Sequence, residues 1–144
     1  MDLSMVPATI HTLKGKKYRW VNVTHPGETE LQYLQKNFGF HPLDLKDCLP
    51  PLQRPKVIPR EAYLFGLFIF PVFNHQAREV EAHEIDFFLG KDFVVTVHDN
   101  SFIELKNFFR FMKNNKIINI ANIVFCLQIM LDKIIQLIQI DIRK

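Results

Sequence analysis

The chain has 144 residues, of which 48% are hydrophobic and 23% are charged, and its formal net charge is +3. This length fits one domain with a substantial core, and the composition excludes a disordered chain. Apart from the basic run Lys14 to Arg19, the Lys and Arg residues are scattered or mixed with acids. No groove-binding motif accompanies them, which argues against nucleic-acid binding. We therefore predict a single packed domain that binds no nucleic acid.

The first half of the chain predicts one strand and two helices. Residues Met1 to Thr12 show no clear pattern, whereas Tyr18 to Val23 alternates and is rich in β-forming residues, as in a half-buried strand. Thr29 to Phe38 carries apolar residues at helical spacing and is followed by Gly39, a residue suited to ending a helix. Pro42 suits the first position of the next helix, which we predict to run to Leu49 before two prolines stop it.

The middle of the chain predicts three antiparallel strands. Ala62 to Phe73 is a nearly continuous aromatic and branched run, and the polar segment Asn74 to Arg78 favours a reversal of the chain. Val80 to Leu89 and Phe93 to Val97 are separated by the turn-forming tripeptide Gly90-Lys91-Asp92, so these two strands are expected to pair as a hairpin.

The last third predicts helices. Ser101 to Glu104 has the spacing of a capping box, and the following helix carries an apolar stripe made of Phe102, Leu105, Phe108, Phe109 and Met112. A final helix is predicted from Ile120 to Ile140, apolar around much of its circumference. Because Asp132 and Lys133 lie near its centre, it is not expected to span a membrane. The predicted fold class is α/β, with a central mixed, largely antiparallel sheet and helices on both faces.

The residues typical of catalysis do not form a recognisable motif. His83-Glu84 begins like a zinc-protease motif, but Phe87 stands where the second His is required. His98-Asp99 offers a base and an acid without a nucleophile elbow. Cys48 and Cys126 form no C-x-x-C pair, so two reduced thiols are expected. We therefore predict neither an enzyme nor a small-molecule substrate.

One continuous run carries a family resemblance. Its residues are Phe38-Gly39-Phe40-His41-Pro42-Leu43-Asp44-Leu45-Lys46-Asp47-Cys48-Leu49, followed by Gln53-Arg54-Pro55-Lys56-Val57. The run resembles the signature F-G-I-H-P-L-x-L-E-D-x-L and Q-R-P-K-V of the cytoplasmic domain of CorA-type magnesium/cobalt transporters. The resemblance extends from about Tyr18 to Gln139.

The resemblance implies a place in a larger protein. Residues 1–144 would be one N-terminal cytoplasmic domain, incomplete at its C-terminal end and without the pore helices or the family's G-M-N motif. The parent would be a pentamer at the cytoplasmic face of the inner membrane, where this domain contacts the stalk and transmembrane segments of the same protein. Its implied role is ion sensing and gating in magnesium/cobalt import, with no conduction by this domain itself.

Asp47 matches the aspartate that contributes to the family's regulatory divalent-cation site between subunits. Mg²⁺ prefers oxygen ligands, usually one or two carboxylates with several waters, so Asp47 would supply half of a weak regulatory Mg²⁺ site for which Co²⁺ could serve as a surrogate. The partner acid would lie on the adjacent subunit. Lys46 replaces the family's Glu beside it, and Asp44, one helical turn earlier, could add negative charge.

Two other classes of function remain open from the sequence. The first is a soluble interaction or regulatory module that keeps this fold without transport. The second is an enzyme that uses His98, Asp99 or the acidic strand from Glu79 to Asp86. Substrate-dependent turnover or a tight, stoichiometric transition metal would favour the enzyme.

Overall fold

The computed structural model of the chain contains one six-stranded sheet with helices packed on both faces. The structure describes residues 5–115, 128 and 132, so the predictions for the Ile120 to Ile140 helix and for Cys126 lie outside the described residues. The elements follow the chain in the order β1 (Ile10–Lys14), β2 (Arg19–Val23), α1 (Glu28–Phe38), α2 (Pro42–Asp47), β3 (Lys56–Pro59), β4 (Tyr63–Asn74), β5 (Glu79–Gly90), β6 (Phe93–His98) and α3 (Ile103–Asn115).

The sheet is mixed and largely antiparallel, which confirms the predicted fold class. Its strand order is β1-β2-β6-β5-β4-β3, and only the β2–β6 pair is parallel among the described strands. Strands β4, β5 and β6 form the predicted antiparallel meander, in which Tyr63 pairs with Gly90 and Leu89 pairs with Val94.

Helices α1 and α2 begin and end for local reasons that the sequence already contains. Gly39 adopts a left-handed conformation with φ 67°, and its N–H donates to the carbonyl of Gln35, which closes α1. His41 precedes α2 and accepts a hydrogen bond from the Leu43 N–H through Nδ1, while Pro42 occupies the first turn. Both predicted helices are confirmed, although α2 ends at Asp47, two residues earlier than predicted.

Two hydrophobic clusters lie on opposite faces of the sheet. Helices α1 and α2 cover one face through Leu34 and Leu45, which pack with Phe65 and Phe88 of the central strands. Helix α3 covers the other face with its predicted stripe, in which Phe102, Leu105 and Met112 are buried and Phe108 and Phe109 are partly buried. The sheet therefore holds its helices through two separate cores.

The sequence did not predict the two edge strands. In β1 only Ile10 and Leu13 are buried, at a spacing of three residues that does not match the two-residue period of a half-buried strand. Strand β3 contains Pro59 and follows a proline-rich loop. Edge strands tolerate both irregular patterning and proline because one side of their backbone needs no partner.

Candidate functional site

Helix α2 is held in place by a buried carboxylate. Asp44 is fully buried, and its oxygens accept hydrogen bonds from Arg60 Nε (3.0 Å to Oδ2), an Arg60 terminal nitrogen (2.6 Å to Oδ1) and the Tyr63 hydroxyl (2.7 Å to Oδ2). The same hydroxyl accepts from the His41 N–H at 2.8 Å. Burial by itself would raise the pKa of Asp44, but the bonds from Arg60 and Tyr63 hold it below its usual value. The start of α2 is thereby fixed to the loop between β3 and β4.

Asp47, the last residue of α2, lies at the surface. Its side chain is 20% exposed, and Oδ2 forms an ion pair with Nζ of Lys56 on β3. The neighbouring Lys46 is exposed. The structure thus separates the two aspartates of α2: Asp44 faces the interior with both oxygens engaged, whereas Asp47 presents a carboxylate that solvent and ions can reach.

A pair of carboxyl groups lies deeper on the same face of the sheet. Glu84 and Asp86 are two residues apart on β5, and both line a cavity of about 280 Å³ together with Cys48 and the loop after α2. Asp86 is 1% exposed, and its Oδ1 has no hydrogen-bond partner among the described residues. Burial, reinforced by the charge of Glu84, raises the pKa of Asp86 to about 9.

The Cys48 thiol faces this carboxyl pair. It is buried and reduced, and it donates a weak hydrogen bond to the carbonyl oxygen of Asp44 at 3.5 Å. Burial raises the pKa of the thiol well above its usual value, and the adjacent Asp86 carboxyl adds to the effect. Cys48 is therefore an unreactive, protonated thiol at neutral pH.

His83, on the opposite face of β5, forms an ion-pair cluster. Its Nε2 lies 3.0 Å from Glu81 and its Nδ1 lies 3.2 Å from Asp99 and 2.9 Å from the Ser101 hydroxyl, which donates to Asp99 at 2.5 Å. Burial would lower the pKa of His83, but the bonds to Glu81 and Asp99 raise it. The Ser101 hydroxyl donates its proton to Asp99 and not to His83, so this cluster does not have the arrangement of an activated serine.

His98 is a buried member of a polar network. Its Nε2 donates to Asn22 Oδ1 at 2.8 Å and its Nδ1 accepts from the Asn100 N–H at 3.0 Å. Asn22 Oδ1 also accepts from Thr96, whose hydroxyl accepts from the Trp20 indole N–H. Burial lowers the pKa of His98 to about 4. Both ring nitrogens are occupied, so His98 is a neutral structural residue of the sheet.

The described part of the chain contains neither a cluster of metal ligands nor a helix able to span a membrane. No three His, Cys, Asp or Glu side chains there are placed so that they could hold a metal ion together. Over the same residues, no helix has both the length and the apolar character needed to cross a membrane.

Sequence reasoning missed the partners of Asp44, and it named Glu84 and Asp86 only as members of the acidic strand from Glu79 to Asp86 and not as a pair. Arg60 and Tyr63 carry no motif, and their contacts with α2 depend on how the β3–β4 hairpin folds back. The signal for the pair was present, since Glu84 and Asp86 alternate with apolar residues on a strand that is otherwise buried there.

Comparison with known protein families gives a match over most of the chain. The family of the CorA-like Mg²⁺ transporter protein matches residues 15–140. The chain is 39% identical over 79 residues to YfjQ of Bacillus subtilis (strain 168), a candidate metal ion transporter, and 34% identical over 77 residues to the cobalt/magnesium transport protein CorA of Thermotoga maritima. These segments cover 55% and 53% of this chain but only 24% and 22% of the relatives.

Solved structures share the fold. The soluble domain of CorA from Methanocaldococcus jannaschii superposes with a TM-score of 0.71 at 15% identity, covering 88% of this chain and 52% of that one. The complete CorA magnesium transporter of the same organism gives a TM-score of 0.70 at 16% identity and covers 88% of this chain and 41% of its own. The architecture described above is therefore that of the CorA soluble domain, and with the family match the chain belongs to the CorA-like Mg²⁺ transporter family.

Proposed function

We propose that this domain senses divalent cations and gates a magnesium/cobalt transporter, with Asp47 as its half of a regulatory Mg²⁺ site between subunits. The observation that carries the proposal is the partly exposed carboxylate of Asp47 at the end of a helix whose start is fixed by Asp44. A gating site needs a ligand that ions can reach and a rigid element that transmits their binding.

The physical mechanism is a change of charge between subunits. A bound Mg²⁺ neutralises carboxylates that face each other across the interface, whereas its loss leaves like charges that repel and favour an open pore. The assembly would be a homo-pentamer at the cytoplasmic face of the inner membrane, and the stalk and transmembrane segments of the parent would supply the second ligand and the pore. The domain itself would neither conduct ions nor catalyse a reaction.

The neighbouring lysines adjust the strength of this site. Lys56 is the present counterion of Asp47, so an arriving cation must replace it. Lys46 adds positive charge beside the carboxylate. Both effects reduce cation affinity, which suits a weak regulatory site that is filled only when Mg²⁺ is abundant.

Mg²⁺ binding to an assembled transporter tests the proposal. Residues 15–140 would replace the corresponding region of the Thermotoga maritima CorA, and Mg²⁺ would be titrated calorimetrically into the purified chimera. Asp47→Ala should weaken the regulatory binding event by about tenfold or more, which corresponds to about 1.4 kcal/mol.

The matched control is Glu61→Ala, which removes an exposed acid near the start of β4. It should leave the binding isotherm unchanged. Identical isotherms for the chimera and its Asp47→Ala variant would count decisively against the proposal.

A further inference from the structure

We infer that His83 is a proton-dependent switch: in its doubly protonated form it ties the start of α3 to β5, and when it loses a proton this tie weakens. The His83 cluster consists of Glu81 and His83 on β5 together with Asp99 and Ser101, which connect β6 to α3. The inference goes beyond the proposed function, since it concerns protons and not Mg²⁺ and lies within one chain.

The hydrogen bonds around the imidazole ring require a proton on each nitrogen. Nε2 lies 3.0 Å from a carboxylate oxygen of Glu81, which can only accept. On the other side, Nδ1 lies 3.2 Å from Asp99 Oδ2 and 2.9 Å from the Ser101 hydroxyl oxygen. Because the single hydroxyl proton of Ser101 goes to Asp99 Oδ1 at 2.5 Å, both groups that face Nδ1 act as acceptors. A neutral imidazole has only one N–H and would leave one side of the ring without its bond.

The charges that face His83 favour the protonated ring. In the described part of the chain, the ion pairs of Glu81 and Asp99 are with His83. Hydrogen bonds from Asn74 and His83 hold the pKa of Glu81 below its usual value. Burial would raise the pKa of Asp99, but bonds from Ser101 and His83 lower it. Both carboxyl groups are therefore ionised at neutral pH and attract a proton to the ring between them.

The other elements packed against His83 add no charge through their described side chains. Phe70 is the residue paired with His83 on β4, and the ring of Phe102, which precedes α3, lies edge-on to the imidazole at 6.1 Å. His98, at the end of β6, is neutral because burial lowers its pKa to about 4. Titration of this cluster near neutral pH is therefore assigned to His83.

Asp99 and Ser101 determine how the chain enters α3. The Ser101 N–H donates to Asp99 Oδ1 at 3.1 Å, and Asn100 between them has a left-handed φ of 66°. The next residue, Phe102, is buried in the core beneath α3. Either neutral tautomer of His83 weakens the hold on Asp99: a proton on Nε2 alone removes the bond, and a proton on Nδ1 alone leaves a bond without charge assistance.

The direction of the pKa shift gives the pH range of the switch. Burial would lower the pKa of His83, but its bonds to Glu81 and Asp99 raise it above the ordinary value of 6.5. The cluster is therefore complete below pH 6.5 and is lost as the pH rises through the pKa of the folded state. The effect of His98 has the opposite direction, so the two histidines can be told apart by pH.

NMR titration of the His83 ring tests the protonation state. The 144-residue chain would be titrated without divalent cations between about pH 5.5 and about pH 9. The His83 midpoint should lie above 6.5, and Asp99→Asn and Glu81→Gln should each lower it, because each removes a facing negative charge. Asp92→Asn is the matched control, since it changes an exposed acid in the turn between β5 and β6, and it should leave the midpoint unchanged.

Hydrogen exchange tests whether the titration reaches α3. The Lys106 N–H donates to the Phe102 carbonyl at 3.2 Å in the first turn of the helix, so its protection reports on this end. Protection, corrected for the intrinsic effect of pH on exchange, should fall by about threefold or more as the pH rises through the His83 midpoint. His83→Gln should show no such fall, whereas His75→Gln, at an exposed turn, should retain it.

These measurements can overturn the inference in two ways. A His83 midpoint at or below 6.5, or one that Asp99→Asn leaves unchanged, means that the ring is not held in its doubly protonated form. A raised midpoint with constant protection at Lys106 means that the cluster is an ion pair without a hold on α3.

A variant that fails to fold does not prevent a decision. If His83→Gln does not fold, Asp99→Asn decides, since its side chain is exposed and it should move the midpoint and the fall in protection to lower pH together. The measurements contain no Mg²⁺ and do not involve Asp47, so failure of this inference leaves the proposed function standing.

Discussion

The carboxylate of Asp44 and the guanidinium of Arg60 form a two-point ion pair, with Nε 3.0 Å from Oδ2 and a terminal nitrogen 2.6 Å from Oδ1. Such pairs fix orientation as well as distance, because two parallel bonds prevent rotation. The pair joins the first turn of α2 to the segment between β3 and β4. As a result, the position of Asp47 at the other end of this short helix depends on a contact made by Asp44.

Removing the Tyr63 hydroxyl should loosen this attachment. Tyr63→Phe deletes the donor to Asp44 Oδ2 and the acceptor of the His41 N–H, so the free energy of unfolding should fall by about 1–3 kcal/mol. Urea denaturation measures the loss. Tyr33→Phe, on α1, is the control and should change stability by much less; equal losses in the two variants would contradict the role given to the Tyr63 hydroxyl.

The buried His98 should make stability depend on pH. Its pKa is about 4 in the folded state against 6.5 in the unfolded chain, because burial outweighs the opposing effect of Asp99, and His25 acts in the same direction as burial. The unfolded chain therefore binds more protons between these values. The contribution of neutral His98 to the free energy of unfolding is complete above pH 6.5. It is lost as the pH falls toward 4, by up to about 3 kcal/mol.

Urea denaturation at several pH values between 4 and 7 checks this sign. His98→Gln should flatten the fall of stability with acid, whereas His75→Gln, at an exposed turn, should retain the slope of the unmodified chain. A His98→Gln variant with an unchanged slope would show that other groups carry the acid dependence.

Gly39 should tolerate substitution poorly although there is space for a side chain. No atom lies within 4 Å of a Cβ built there, but its φ of 67° is strained for other residues, so Gly39→Ala should cost about 1 kcal/mol. Gly39→Asn should recover part of the loss, since Asn tolerates this conformation. Thermal or urea unfolding distinguishes the variants, and a Gly39→Ala protein as stable as the unmodified chain would contradict the assigned conformation.

Lys56 should compete with the cation at Asp47. Lys56→Met removes the present counterion while keeping an extended side chain, so the CorA chimera should bind Mg²⁺ at the Asp47 site about fivefold more tightly, the factor that about 1 kcal/mol of charge interaction gives. Lys36→Met, on α1, is the matched control. Weaker Mg²⁺ binding in Lys56→Met would mean that this lysine supports the site instead of opposing it.

The sequence predicted the elements whose signals are local. Gly39, Pro42 and the turn at Gly90 end or begin elements through their own backbone conformation, whatever surrounds them. The apolar stripe of α3 likewise indicates by its spacing which face of the helix is buried. The edge strands β1 and β3 were not predicted, because few of their residues are buried and they are strands only through pairing with a neighbouring strand. Their identity is a property of the sheet and not of their own residues.

The candidate site was predictable only in part for the same reason. Asp47 could be named from the motif, and its surface position agrees with the role proposed for it, but its pairing with Lys56 requires α2 and β3 to be adjacent. The burial of Asp86 depends on Cys48 and the loop after α2 lying above β5. Contacts of this kind join segments that are distant in the sequence, so the pattern of residues within one segment does not predict them.

Ion flux through liposomes containing the CorA chimera tests the central claim most directly. Flux should fall as Mg²⁺ on the cytoplasmic side rises, and Asp47→Ala should raise the half-inhibitory Mg²⁺ concentration by about tenfold or more, with Glu61→Ala unchanged. A half-inhibitory concentration in Asp47→Ala equal to that of the unmodified chimera would contradict the sensing role of this domain.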